Sequence, residues 1–156
     1  MQIRTLKISD QQPIISVVNE WWGGREMEQM LPALFFHHFN QTSFIMEVEG
    51  EMVGFLIGFL SQAHPLEAYI HFVGVHPNYR KQKIGQTLYQ HYFQKVQKEK
   101  RRIVRCITSP QNKNSIAYHQ RMGFEVCLGD KVVDGIQVQT NYDGTGNDRV
   151  VFEKRL

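Results

Sequence analysis

Three stretches in the middle of the chain have the apolar spacing of β-strands. Residues 43–49 alternate between apolar and polar positions, and Gly50 follows them as a hairpin turn. Residues 52–60 and 66–75 are longer and more apolar, which is typical of strands that are more fully buried. The pattern therefore predicts three consecutive antiparallel strands.

The chain before these strands predicts one short strand and two helices. Residues 3–6 alternate as a strand, and Ser9 or Asp10 can cap the helix that follows. The apolar positions of this helix recur at helical spacing until a glycine pair ends it. A second helix is predicted over residues 27–39, with Pro32 marking a restart inside it.

Helices and strands alternate after the third long strand. Apolar positions at helical spacing predict a helix after Gly85, and residues 103–108 predict a strand parallel to the third one. A short helix that ends at Gly123 precedes a sixth strand. A turn-rich loop over residues 140–148 then leads to a last strand over 149–153, and we interpret this loop as a lid or a dimer contact.

The turn between the third long strand and its helix, within residues 73–88, is the candidate ligand site. Pro77 ends the strand, and Arg80, Lys81 and Lys83 lie in the turn before the helix. The first N–H groups of a helix and its dipole provide partial positive charge that can hold a phosphate. The turn fits neither common glycine-rich nucleotide pattern. It therefore predicts a pyrophosphate cradle of another kind, or else an ordinary solvated basic turn.

This stretch resembles the acetyl-CoA loop of the GNAT superfamily of N-acetyltransferases, whose pattern is V-x-P-x-x-R-x-x-G-x-G/A. Val75, Pro77, Arg80 and Gly85 match it, and Lys83 replaces the first glycine. A lysine fits that position if its φ is negative, and its charge would suit a diphosphate. The resemblance implies that acetyl-CoA is the cosubstrate and that its contacts are Val73, Gly74, Val75, Arg80, Lys81, Gln82, Lys83, Ile84, Gly85 and Gln86.

Residues 109–124 resemble the second GNAT signature, with Asn112, Ser115 and His119 at matching positions. The resemblance implies that Asn112 and Ser115 lie near the coenzyme arm. It also implies that the residue at His119, often a tyrosine in the family, protonates the departing thiolate. Helical spacing puts His119 on the face of Ser115 and Tyr118 on a core face, which favours His119. Tyr118 or a water molecule remains an alternative acid.

The family resemblance further implies a base on the third long strand, at the position of His71. Period-two alternation puts His71 on the same side as Val73 and Val75, and it would act directly or through water. In GNAT folds the two parallel strands splay apart, and the pantetheine arm bonds to the first strand inside the gap. Backbone N–H near Val73 would then polarise the thioester carbonyl.

The segment WWGGR, residues 21–25, is the candidate wall of the pocket that binds the amine to be acetylated, the acceptor. Trp22 could line the acceptor pocket, and Arg25 could hold a carboxylate. GNAT proteins often build the acceptor pocket from this early helix–loop–helix region, which agrees with that interpretation. The alternative is a core tryptophan at Trp21 and a solvated surface arginine.

Length and charge limit the class of protein. The chain has 156 residues, which favours a single N-acetyltransferase domain over residues 1–156. A net charge of +3 suits an anionic small ligand but is too weak to indicate nucleic-acid binding. The basic run over residues 98–102 lacks interleaved aromatic residues, so we expect no nucleic acid as a partner.

Cysteine usage and hydropathy predict a cytoplasmic protein. Cys106 and Cys127 form no disulfide framework, and neither has an evident paired base, so we do not expect either to be a nucleophile. The first residues lack a signal-peptide apolar region, and no apolar run is long enough to span a membrane. No histidines and carboxylates have the spacing of a metal site, so we expect no metal.

These observations lead to one expected fold and function. The fold class is α/β, more strictly α+β, with a GNAT-type mixed, mostly antiparallel twisted sheet of 6–7 strands, about four helices and a splayed parallel pair in the middle. The expected activity is direct transfer of acetyl from acetyl-CoA to a primary amine of a small molecule, by a monomer or homodimer. The alternatives are a non-catalytic acyl-CoA-binding module, an acetyltransferase acting on a protein, and a binder of another anionic cofactor.

Overall fold

The computed structural model describes residues 1–156. Its strands are β1 Gln2–Thr5, β2 Phe44–Val48, β3 Glu51–Leu60, β4 Glu67–Val75, β5 Ile103–Thr108, β6 Glu125–Val126, β7 Lys131–Val133, β8 Ile136–Val138 and β9 Val150–Arg155. Its α-helices are α1 Gln11–Trp21, α2 Ala33–His38, α3 Ile84–Lys98 and α4 Lys113–Arg121. None of the helices is both long enough and apolar enough to span a lipid bilayer.

Seven strands form one sheet in the order β1-β2-β3-β4-β5-β9-β6. All neighbouring pairs are antiparallel except β4 and β5, which are parallel and joined through α3. The predicted mixed, mostly antiparallel sheet with a central parallel pair is therefore confirmed. The strands β7 and β8 form a separate two-stranded hairpin.

Alternation along the central strands divides the core into two layers, one on each face of the sheet. Phe44 and Leu56 belong to the layer that contains the apolar face of α3. Ile45 and Phe55, their neighbours in sequence, belong to the layer that contains α1 and α2 residues. Because successive side chains of a strand point to opposite faces, the two layers lie on opposite sides of the sheet.

The parallel strands β4 and β5 pair over only part of their length. Their register ends with Tyr69 opposite Arg105, while β4 continues to Val75 and β5 to Thr108. Beyond that point β5 stays paired with β9, and β4 stays paired with β3. The facing edges of β4 and β5 are therefore open, and this gap is the splay expected from the GNAT resemblance.

A β-bulge in β4 overturns one prediction about which side chains share a face. Ile57 of β3 pairs with Phe72 and Gly58 pairs with Ile70, so His71 is the extra residue. An extra residue interrupts period-two alternation. His71 consequently packs on the α2 side of the sheet, whereas Val73 and Val75 pack on the α3 side, so the predicted shared face is wrong.

Two further elements differ from the sequence-based prediction. The helix predicted over residues 27–39 is a single 3-10 turn, Glu28–Met30, followed by α2, because Pro32 is extended with a ψ of 158° and separates them. The hairpin of β7 and β8 was not predicted. Its turn residues, Asp134 and Gly135, both have positive φ, as a tight type I′ hairpin turn requires.

Candidate active site

A cleft of about 600 Å³ opens between β4, the amino end of α3 and the helix α4. Its lining includes four cationic side chains and no carboxylate. Of the residues predicted to bind the cofactor or to act in catalysis, those that line the cleft are Val73, Val75, Arg80, Lys81, Lys83, Gly85, Gln86, Asn112, Ser115, Tyr118 and His119. Predicted residues outside the lining are Gly74, Gln82, Ile84 and His71.

The amino end of α3 presents unpaired backbone donors to this cleft. The first intrahelical bond of α3 runs from the Thr87 N–H to the Lys83 carbonyl, at 3.0 Å. The N–H groups of Ile84, Gly85 and Gln86 precede that bond and have no carbonyl partner within the helix. Although the Ile84 side chain is fully buried, its N–H belongs to this set of donors.

Lys83 has the backbone conformation expected of a glycine. Its φ is 59° and its ψ is 27°, so the negative φ considered from the sequence is wrong. The left-handed conformation disfavours a side chain with a Cβ by roughly 1–2 kcal/mol relative to glycine. The chain tolerates this strain at the point where the turn enters α3, and it thereby places a cation at the cleft.

Arg80 connects the turn to two other elements. Its guanidinium donates to the carbonyl of Trp21, the last residue of α1, and its Nε donates to the Val75 carbonyl at 3.4 Å. The side chain also lines the cleft. Arg80 therefore holds the end of α1 against the end of β4 and still contributes positive charge to the cleft.

Tyr118 projects from α4 toward the start of α3. A Cβ added to Gly85 would lie 2.9 Å from the Tyr118 hydroxyl, so the two residues are in close approach. Tyr118 is half-buried, and burial raises the pKa of its phenol while the nearby Arg121 opposes that rise. The phenol is therefore protonated at neutral pH and is exposed to the cleft.

His119 is more deeply buried than Tyr118, although both line the cleft, and it shares the face of Ser115 as helical spacing predicts. Only 8% of His119 is exposed, and its ring stacks on Phe152 with centroids 4.8 Å apart. Its Nδ1 lies 2.7 Å from the Ser115 carbonyl and its Nε2 lies 3.0 Å from the Tyr89 hydroxyl. Burial lowers the pKa of His119.

His71 is held on the opposite face of the sheet from α3. Its ring stacks on Phe35 of α2 with centroids 4.2 Å apart, and its Nε2 donates to the Met30 carbonyl at 2.5 Å. A carbonyl only accepts, so Nε2 carries the proton and Nδ1 is the free basic nitrogen. Burial lowers the pKa of this imidazole, which keeps it neutral at neutral pH.

The two predicted acceptor-binding residues lie at different places. Trp22 lines the cleft and packs on Phe72 with ring centroids 4.8 Å apart. Arg25 is exposed at a smaller, entirely polar depression that it shares with Asn112 and Lys113 at the start of α4. Trp21 is a core residue with 5% exposure, as the alternative interpretation of this segment expected.

Sequence reasoning missed three residues that line the cleft, namely Tyr89, Asn114 and Arg121. Tyr89 was assigned only to the core face of its helix. It lies four residues after Gly85, and residues at that spacing share one helical face, so the signal was present. No comparable signal distinguishes Arg121 from an ordinary basic residue in the last turn of a helix.

Neither cysteine has the surroundings of a nucleophile. Burial raises the pKa of Cys106 well above that of an ordinary thiol, and burial also raises the pKa of Cys127. Cys127 lies beside Arg105, which is itself paired with Glu67 and Glu153. No group of three or more histidine, cysteine or carboxylate side chains is arranged to hold a metal ion.

Comparison with solved structures shows the same fold in several other proteins. Ard1 from Thermoplasma volcanium is 17% identical, with a TM-score of 0.78, over 99% of this chain and 97% of that chain. The protein yncA from Salmonella typhimurium, solved with its cofactor acetyl-CoA, is also 17% identical, with a TM-score of 0.69, over 100% of this chain and 94% of that one.

Comparison of sequences gives the family. An uncharacterized N-acetyltransferase of Methanocaldococcus jannaschii is 35% identical over 86 residues, which are 53% of this chain and 38% of that relative. The chain thus spans less than half the length of that relative. The model of the Acetyltransferase (GNAT) family matches residues 11–124, which include both signatures and every residue that lines the cleft. The protein therefore belongs to the GNAT family of acetyltransferases.

Proposed function

We propose that residues 1–156 act as one N-acetyltransferase domain that moves acetyl directly from acetyl-CoA to a primary amine of a small molecule. The observation that carries this proposal is the cleft itself. It combines free helix N–H groups, four cationic side chains without a carboxylate, and the open edge of β4. A coenzyme A molecule offers a diphosphate for the first two and an amide-bearing arm for the third.

The backbone N–H donors and cationic side chains of the cleft suit coenzyme A better than a metal or a nucleoside alone. The N–H groups of residues 84–86 would hold the diphosphate, and the charges of Lys81 and Lys83 would neutralise it. The unpaired N–H and C=O groups of β4 near Val73 would bond to the pantetheine arm. Asn112 caps α4 by accepting the Ser115 N–H at 3.1 Å, which fixes the opposite wall of the cleft.

Three groups would carry the chemistry of acetyl transfer. A backbone N–H near Val73 polarises the thioester carbonyl that the amine attacks. His71, on the α2 side of the sheet, would take a proton through its free Nδ1, directly or by way of a water molecule, from an amine that approaches from that side. A protonated group that lines the cleft, Tyr118 or His119, or else a water molecule, gives a proton to the sulfur as the C–S bond breaks.

Trp22 and Arg25 would shape the acceptor side. Trp22 is the aromatic residue at the junction between the cleft and the α1–α2 side of the sheet. The exposed Arg25 has no carboxylate partner in the protein, so its charge is available to an anionic group of the acceptor. Both features favour a small amine with an anionic end over a bulky acceptor.

Acetyl-CoA turnover against a library of primary amines, followed as release of free thiol, tests this function. The expected result is thiol release that depends on the amine and that yields the N-acetylated product. Binding of acetyl-CoA without turnover of any amine would instead indicate a non-catalytic module. Turnover only with peptides that have a free amino terminus would replace the small-molecule acceptor by a protein.

A further inference from the structure

A second pocket, of about 330 Å³, lies on the α2 side of the sheet and shares no lining residue with the cleft. Three aromatic side chains contribute to its walls, namely Phe59 of β3, Tyr69 of β4 and Tyr142 of the loop before β9. The Phe59 ring packs on Tyr69 with centroids 5.2 Å apart, and it packs at the same distance on Phe39, which follows α2. We call this site the aromatic pocket.

The aromatic pocket begins where the gap between β4 and β5 begins. Tyr69 and Arg105 both line it, and they are the last residues that pair between these two strands. The cleft contacts β4 farther along the strand, at Val73 and Val75. A pantetheine arm that runs back along β4 from a diphosphate at the start of α3 would therefore carry its thioester toward the aromatic pocket.

A row of aromatic rings connects this pocket with His71. The His71 ring stacks on Phe35, Phe35 packs on Phe39 with centroids 5.6 Å apart, and Phe39 packs on Phe59 in the pocket wall. Tyr69 and His71 are two residues apart on β4, which corresponds to about 7 Å along a strand. The proposed base therefore lies beside the aromatic pocket on the same face of the sheet.

The loop over residues 140–148 supplies one wall of the aromatic pocket. Burial raises the pKa of Tyr69, and the nearby Tyr142 raises it further, which places the loop beside the Tyr69 ring. Asp143 of the same loop is paired with Arg149 at 3.0 Å. Tyr142 remains 46% exposed, so a ligand can reach the space between Tyr142 and the sheet from solvent.

The charges in the pocket wall are balanced. Arg105 pairs with Glu67 at 2.6 Å and with Glu153 at 3.1 Å, and Arg155 pairs with Glu153 at 3.1 Å. This chain of ion pairs contains two positive and two negative side chains. The exposed His64 lies at the mouth, 4.0 Å from Glu67. Because flat rings and paired charges line the pocket, it suits an uncharged aromatic group better than an ion.

We propose that the aromatic pocket binds an aromatic ring of the acceptor, so that the acceptors are primary amines with such a ring on a short linker. The ring packs against Tyr69 and Tyr142, and the linker brings the amine nitrogen toward His71. A volume near the lower end of the range for ligand pockets, about 300–1,000 Å³, suits a single ring system. This inference rests on the proposed acetyl transfer and adds a ring to the small amine proposed there.

The test compares 2-phenylethylamine with ethylamine as acceptors, followed as release of free thiol. The ratio of the two kcat/KM values measures what the ring contributes, and in the wild type we expect it to be about tenfold or more. Tyr142→Ala should lower this ratio about 3- to 10-fold, because one aromatic wall is lost. Tyr142→Phe keeps the ring of the wall and should keep most of the ratio.

Leu128→Ala is the matched control for Tyr142→Ala. Leu128 is also an exposed apolar residue, with 82% exposure, and it does not line the aromatic pocket. Its truncation should leave the ratio as it is in the wild type. A wild-type ratio near one, or equal changes of the ratio in Tyr142→Ala and Leu128→Ala, would overturn the proposal.

The outcome remains separable from the proposed function. If the wild-type protein releases no thiol with any amine, acetyl transfer is wrong, and the pocket is judged from a crystal structure of the wild type grown with 2-phenylethylamine. A phenyl ring between Tyr69 and Tyr142 in that structure would support the pocket. A phenyl ring bound elsewhere, or none bound, would contradict it.

Discussion

The hydroxyl oxygen of Tyr118 lies 2.9 Å from the point that a Cβ atom on Gly85 would occupy. The next nearest atom to that point is a methyl carbon of Val75, at 3.6 Å. A side chain as small as alanine would therefore push the Tyr118 hydroxyl away from the first turn of α3. This is the same place where the helix N–H groups would hold the diphosphate of coenzyme A.

Gly85→Ala should lower activity without lowering stability. Alanine favours helix over glycine by roughly 0.5–1 kcal/mol, so the melting temperature should rise or stay the same. The added methyl intrudes on the first turn of α3, where the diphosphate would lie, so coenzyme A should bind about tenfold more weakly and thiol release at low acetyl-CoA concentration should fall. Thermal unfolding and thiol release measured on one preparation check this. Full activity in a folded Gly85→Ala protein would mean that the diphosphate does not lie against this turn.

Lys83→Gly should stabilise the free protein and weaken cofactor binding. Glycine relieves the left-handed strain at φ 59°, and the expected net gain is about 0.5–1 kcal/mol after the entropy of the unfolded chain is counted. The lost charge should raise the Kd for coenzyme A and flatten its dependence on salt. Lys81→Ala is the control, because it removes a neighbouring charge without relieving this strain. An unchanged stability in Lys83→Gly would show that the strain is not significant.

His71→Gln should remove the decline of the acetyl-transfer rate at acidic pH. A base must be neutral to accept a proton, and burial lowers the pKa of His71 below its ordinary 6.5. The wild-type rate should therefore stay level as the pH falls to about 6.5 and should decline only below that. Glutamine can still donate to the Met30 carbonyl but cannot act as a base. If the decline survives in His71→Gln, another group or a water molecule is the base.

Arg80→Gln should weaken both the fold and cofactor binding. Arg80 donates to the carbonyls of Trp21 and Val75, and hydrogen bonds from a charged donor contribute about 1.5–3 kcal/mol each when they are shielded from water. Because this side chain is partly exposed, we expect a loss of about 1–3 kcal/mol in the free energy of unfolding. Denaturant titration measures it, with Lys81→Ala as a control of equal charge. A stability equal to that of the control would mean that the contact with α1 is not maintained in solution.

The fold was predictable because its long strands and helices have strong local patterns. The strand pair β2 and β3, the helix α3 and the strand β5 follow directly from apolar spacing. The missed hairpin also had a local signal, since Asp134-Gly135 between apolar residues is a typical two-residue turn. The helix over residues 27–39 was overestimated because Pro32 begins a new helix instead of continuing one.

The site was less predictable because its geometry depends on contacts between distant elements. The position of His71 depends on a bulge that forms only when β3 and β4 pair, so alternation along one strand assigned it to the wrong face. The choice between Tyr118 and His119 depends on where Tyr89, Gly85 and Phe152 lie in space. Helical spacing within α4 alone contains none of that information.

The most direct test of the account is a calorimetric titration of coenzyme A into the wild-type protein and into the double variant Lys81→Ala/Lys83→Ala. If the cleft holds the diphosphate, the wild type should bind at one site, and the double variant should bind at least tenfold more weakly, with a smaller salt dependence. No measurable binding to the folded wild-type protein, or equal affinity in both proteins, would contradict it.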